Sequence, residues 1–163
     1  MEKNKNLTLE ETVVLANQNY KDSNFQAAIE QYREILKINS NIKDVQNNLG
    51  VALQATGKHK EAISCYENAI KIDPEFSNCH SNLGNAFNLI GEYKKAVNCY
   101  ENAIKINPSF ADAYTNLGVI FKKLENNKKS KDCFEKSLKL RLNKDPEKEL
   151  FIYNEMHNRL FFS

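Results

Sequence analysis

The stretch KDVQNNLGVALQATGKHKEAISCYENAIKIDPEF, residues 43–76, is followed at once by SNCHSNLGNAFNLIGEYKKAVNCYENAIKINPSF, residues 77–110. The second is a near copy of the first. Leu49 and Leu83, Gly50 and Gly84, Gly57 and Gly91, Ala62 and Ala96, Tyr66 and Tyr100, Ala69 and Ala103, Pro74 and Pro108 all stand 34 residues apart. Leu117 and Gly118 carry the interval once more. A fixed period of this size marks a stack of like supersecondary units, each burying its apolar face on the next. Such stacks curve and offer a long surface to other proteins. The period therefore points to docking rather than catalysis.

Each unit reads as helix, short turn, helix. Val45, Leu49, Ala52 and Leu53 form one helical stripe, and Ala62, Ile63, Tyr66, Ala69 and Ile70 form a second. Gly57 suits a left-handed cap between them, and Asp73-Pro74 closes the second helix. Gly50, Gly84 and Gly118 fall inside the first helix, where each costs about 1 kcal/mol relative to alanine. A cost repeated at one register predicts close approach of the second helix, with Ala62 and Ala96 facing the glycines.

Helix pairs of this length with Leu-Gly, an aromatic residue, a mid-unit alanine and a late proline resemble the tetratricopeptide repeat. The matching residues are Leu49, Gly50, Ala62, Tyr66, Ala69 and Pro74, then Leu83, Gly84, Phe87, Ala96, Tyr100, Ala103 and Pro108. Residues 111–144 supply Tyr114, Leu117, Gly118, Phe121 and Phe134, but carry Ser130 and Ser137 in place of the alanines and Glu125 in place of the turn glycine. A degenerate unit over about 9–42 keeps Leu15, Ala16, Ala28 and Tyr32. The resemblance implies one all-α domain over 1–163, a right-handed superhelical solenoid of antiparallel helix pairs with about four repeats. Thr8 and Glu11 read as a capping box at its start. Asp145-Pro146 opens a capping helix over about 146–161, with Leu150, Tyr153, His157, Leu160 and Phe161 on one side.

In this family the first helix of each pair lines the inner face. Residues 77–90 hold no charged side chain, whereas the second helix of that unit carries Glu92, Lys94, Lys95, Glu101 and Lys105. Asn48, Asn82 and Asn116 recur on the inner register, with Asn17, Asn47, Asn78, Asn85 and Asn88 as neighbours. An amide offers one acceptor and two donors, so a ladder of them can pair with the main chain of an extended peptide. This arrangement is similar to the repeat region of O-linked N-acetylglucosaminyltransferases, which the string CYENAIKINPSFADAYTNLG also resembles. Asn68 and Asn102 recur on the outer helix too. Duplication of an asparagine-rich unit would also produce such a ladder. The variant of the family that clamps a terminal carboxylate is not expected, because Val13, Asn47 and Asn78 stand where it needs cations.

The remaining chemistry is sparse. Net charge is +2, with 23 Lys and Arg against 21 Asp and Glu, which gives no reason to expect nucleic acid or an anionic membrane as partner. No apolar run nears the roughly 20 residues that span a bilayer. Cys65, Cys99 and Cys133 sit one period apart, too far to pair, and no Cys-x-x-Cys spacing suggests zinc. His59 reads as exposed in a turn, His80 as packed, and His157 lies far from both. Lys122, Lys123, Lys128, Lys129 and Lys131 cluster about one turn, either as a solvated face or for an acidic partner. The expected function is non-catalytic protein binding, without cofactor or metal, in the cytoplasm or nucleus. The alternatives are the substrate-recognition segment of a glycosyltransferase, and a structural spacer or self-assembling scaffold acting through the C-terminal helix and its Leu160-Phe161-Phe162 end.

Overall fold

The computed structural model describes residues 8–142. Eight helices follow one another: α1 (Leu9–Lys21), α2 (Phe25–Ile38), α3 (Lys43–Ala55), α4 (His59–Ile72), α5 (Ser77–Leu89), α6 (Tyr93–Ile106), α7 (Ala111–Lys123) and α8 (Asn127–Leu142). Among the described residues there is no strand. Odd and even helices pack in antiparallel pairs, and each even helix packs on the next odd one. Successive odd helices also touch one another, whereas no two successive even helices approach to that degree. The stack therefore bends with α1, α3, α5 and α7 on the inside, an all-α right-handed solenoid. The capping helix expected at 146–161 and the apolar end at Leu160 and Phe161 lie outside the described residues.

The start of α1 is fastened as its sequence indicates. Thr8 N–H donates to Glu11 Oε2 at 2.8 Å and Glu11 N–H donates to Thr8 Oγ1 at 3.2 Å. The four turns inside the pairs share one geometry. In the second, Gly57 N–H donates to Gln54 O at 3.1 Å and Lys58 N–H to Leu53 O at 2.9 Å. This is the double-bonded helix end that demands a left-handed residue. Gly57 and Gly91 fill that position at φ 78° and 80°, and Ser23 and Glu125 fill it at 63° and 57°. The non-glycine residues at either end of the array accept the strain because the same two bonds form there (Asn24 N–H to Asn19 O, Asn126 N–H to Phe121 O).

The helical glycines have a different neighbour from the one their spacing suggests. A Cβ built on Gly50 would lie 2.6 Å from Tyr66 Cε1, one on Gly84 2.7 Å from Tyr100 Cε1, and one on Gly118 3.0 Å from Phe134 Cε1. The rings of the second helix, not Ala62 and Ala96, press on the first. Tyr32, Tyr66 and Tyr100 are all but fully buried. In the last repeat Ser130 and Ser137 occupy alanine positions without penalty. Ser130 Oγ donates to Gly118 O at 2.9 Å and Ser137 Oγ to Ala111 O at 2.8 Å, so both buried hydroxyls bond the backbone of α7.

Two stability outcomes follow from this geometry. Gly84→Ala gains about 1 kcal/mol of helix propensity yet drives its methyl into a fixed ring, a class of overpacking that costs about 1–3 kcal/mol. Urea unfolding of the full chain should show net destabilisation, larger for Gly50→Ala and Gly84→Ala than for Gly118→Ala, where the gap is wider. Glu125→Gly relieves a left-handed non-glycine residue and should raise stability by roughly 0.5–1 kcal/mol. Gly91→Ala should cost a similar amount although nothing lies within 4 Å of its Cβ. Equal midpoints for Glu125→Gly and the native chain would contradict this account.

Candidate functional site

The inner asparagines do not stand as independent rungs. Asn48 Nδ2 donates to Asn17 Oδ1 at 3.1 Å, and Asn116 Nδ2 donates to Asn85 Oδ1 at 3.1 Å. Each bond crosses a repeat boundary and ties one first helix to the next. The receiving oxygens also accept a phenol from the second helix: Tyr32 Oη donates to Asn17 Oδ1 at 2.6 Å and Tyr100 Oη to Asn85 Oδ1 at 2.7 Å. One carbonyl with two lone pairs thus joins three helices.

The middle boundary is built otherwise. The residue equivalent to Asn17 and Asn85 in the second repeat is Val51, and in the fourth it is Val119. Asn82 finds no amide there and donates to Asn47 Oδ1 at 3.0 Å, while Asn47 Nδ2 donates to Asn48 Oδ1 at 3.3 Å. Tyr66, left without an asparagine, donates to Gln54 Oε1 at 3.3 Å, one turn further along α3. Opposite Val119 the aromatic residue is Phe134, which has no hydroxyl to satisfy. Val14 holds the asparagine register on α1, the first described helix, and is 68% exposed. Among the described residues the amide therefore occurs wherever an upstream repeat can receive it.

Of the asparagines read as a ligand-binding row, the structure links Asn17 with Asn48, Asn47 with both Asn48 and Asn82, and Asn85 with Asn116. Asn88 accepts from Lys123 Nζ at 2.8 Å. Asn78 is exposed. In the pairs Asn17–Asn48 and Asn85–Asn116, the Nδ2 of Asn17 and of Asn85 and the Oδ1 of Asn116 make no bond within the described residues, and Asn48 Oδ1 keeps one lone pair. The three unbonded atoms are not fully buried, because His59 Nδ1 is the fully buried, unpartnered side-chain polar atom among the described residues. A cavity of about 270 Å³ opens over the first pair, lined by Asn17, Tyr20, Lys21, Tyr32, Asn48 and Val51. Its volume suits one side chain rather than a small-molecule ligand. Spacing revealed the ladder. The partner row at Asn17 and Asn85 repeats only at every second unit, and its role could be read only from the atoms that meet.

The other candidates fall away from this face. His80 is 9% exposed and its Nε2 lies 3.0 Å from Pro74 O, a packing role. His59 is the first residue of α4 and half-buried, not exposed in a turn. The four thiols are free. Burial pushes Cys65 and Cys99 up to about 11 and Cys79 up to about 12, which keeps them protonated and unreactive. Cys79 Sγ donates to Tyr66 O at 3.4 Å. Among the described residues no group of three or more metal-ligating side chains is placed to hold an ion, and no helix is long and apolar enough to cross a membrane.

Four family models match the chain. Three are described as tetratricopeptide repeat, over residues 44–76, 65–98 and 111–144, and one as TPR repeat, over 84–125. No curated protein matches the sequence. Among solved structures, a crystal structure of MamA superposes with TM-score 0.80 at 23% identity, covering 84% of this chain and 80% of that one. MamA 41-end from Desulfovibrio magneticus RS-1 gives 0.79 at 18%, covering 85% and 78%. The first TPR of Spaghetti (RPAP3) bound to HSP90 peptide SRMEEVD gives 0.70 at 19%, covering 72% and 93%. At these identities the structures speak to the fold alone. With the helical glycines, the left-handed turns and four family matches that together run from residue 44 to 144, the chain belongs to the tetratricopeptide-repeat proteins.

Proposed function

We propose that this chain is a non-catalytic protein-interaction module that holds an extended segment of a partner along its inner face. The observation that carries the reading is the pair of asparagine couples. Each couple fixes its own geometry by an internal bond and still keeps unused hydrogen-bonding capacity on one N–H₂ and one C=O. That is the complement of a peptide group, which presents one acceptor and one donor. Pre-ordered amides reduce the cost of immobilising side chains on binding. The peptide held by the RPAP3 repeat is consistent with a peptide or protein partner here. Four free thiols support a reducing compartment, cytoplasmic or nuclear.

A glycosyltransferase recognition segment would use the same couples. It is supported by the inner asparagine register and the string at residues 99–118. An end-to-end scaffold is supported by Val14 and Leu15, which are 68% and 41% exposed although Leu49, Leu83 and Leu117 at the register of Leu15 are buried.

Partner capture from native lysate separates these readings. Asn48→Ala/Asn82→Ala/Asn116→Ala should keep the helical content of the native chain and lose its captured proteins. Retention of the same partners would overturn the inner-face reading. Loss of assembly on making Val14 and Leu15 polar would favour the scaffold. Stability distinguishes a second pair of variants. Asn85→Ala leaves the Tyr100 hydroxyl without its acceptor and should cost about 1–3 kcal/mol, whereas Asn82→Ala frees only the half-buried Asn47 carbonyl and should cost less than about 1 kcal/mol. Chemical unfolding of the two proteins checks the order.

A further inference from the structure

The ten residues from Lys122 to Lys131, at the junction of α7 and α8, carry five lysines against one glutamate. Since the whole chain is +2, everything outside this turn is net negative. Three cations elsewhere meet acids from other elements: Arg33 pairs with Glu61, Lys43 with Asp73 and Arg141 with Asp112. Here Lys131 lies 3.8 Å from Glu135, but among the described residues no ion pair forms to Lys122, Lys123, Lys128 or Lys129. Two of these four are held in place by other means. Lys123 Nζ sits 5.1 Å from the centre of the Tyr93 ring and donates to Asn88, and Lys129 Nζ sits 5.1 Å from that of Phe121. Lys128 and Lys129 also lie in the first turn of α8, where no acidic residue stands. The helix dipole disfavours cations there, and an anion would relieve that. The result is a dense cationic turn in which Lys123 and Lys129 are pre-ordered and Lys122, Lys123, Lys128 and Lys129 meet no carboxylate among the described residues.

We infer that the α7–α8 turn is a docking surface for a short acidic segment of a partner protein, lying outside the inner face. Glu125 stands exposed at the tip of the turn, with Asp132 and Glu135 on α8 beyond it. A duplex or an anionic bilayer would press continuous negative charge onto these fixed carboxylates. A segment with a few separated carboxylates can pass them. The cluster adjoins the inner face, because Lys123 bonds Asn88, the last of the row Asn82, Asn85 and Asn88 on α5. Only this continuity rests on the proposed function. The charge argument stands without it.

The test is a titration of the ¹⁵N-labelled full chain with acetylated, amidated tetraglutamate. Amide shifts should fall within residues 122–131 and saturate with a dissociation constant on the order of millimolar. They should weaken at least about fivefold in Lys122→Gln/Lys128→Gln/Lys129→Gln and at high salt. Tetraglutamine should produce none. The Asn48, Asn82, Asn116 alanine variant should respond like the native chain, so failure of the inner-face reading leaves this result readable. Absent or dispersed shifts, or equal shifts with tetraglutamine, overturn the inference. So do the same shifts produced at lower concentration by a short DNA duplex or by phosphatidylserine vesicles. If the glutamine variant loses its helical signal, the salt dependence of the native titration decides.

Discussion

The contact on which the stack depends is an aromatic ring laid against a bare helix backbone. Tyr66 on Gly50, Tyr100 on Gly84 and Phe134 on Gly118 set the distance between the two helices of a repeat. A Cβ at any of these three glycines would crowd the ring, whereas the first repeat carries Ala16 at that register. The fixed separation lets small residues such as Ala62, Ala69, Ala96 and Ala103 bury completely beside it. It also aims the phenols at the first helix, where their hydroxyls must find acceptors. Helix spacing, core packing and the polar links of the inner face thus share one origin.

Those polar links show how the chain handles a buried hydroxyl. A phenol under a helix is stabilising only if its oxygen is bonded. The first and third repeats supply an asparagine, the second a glutamine one turn on, and the fourth removes the hydroxyl by using phenylalanine. Ser130 and Ser137 obey the same rule with the α7 backbone as acceptor. In the fourth repeat the acceptor lost at Val119 is matched by the hydroxyl lost at Phe134, and that repeat stacks like the others.

The architecture was open to reading because period, helical stripes and turn glycines all agreed from Lys43 to Phe110. The capping box at Thr8 was legible for the same reason, as a local pattern with local bonds. What faces the helical glycines was not. Ala62 and Tyr66 lie one helical turn apart, and choosing between them requires the axial offset of two helices, which a period does not encode. Likewise Asn48, Asn82 and Asn116 look equivalent in sequence. Their differing bonds depend on whether Asn17, Val51 or Asn85 stands across the joint. Glu125 in a glycine position looked like a departure, yet the backbone bonds of the turn impose the left-handed conformation whatever residue stands there.

The alternation of Asn17, Val51, Asn85 and Val119 makes the inner face commensurate with two repeats rather than one. A ladder identical at every repeat would let an extended chain slip by one unit and find the same contacts, so that many alignments would be nearly degenerate. For the extended segment proposed above, a one-unit slip would set a peptide group against valine where it had met an amide. The surface would then behave as a ruler with long and short marks. It would define the frame in which that segment lies even while each contact ignored the segment's side chains.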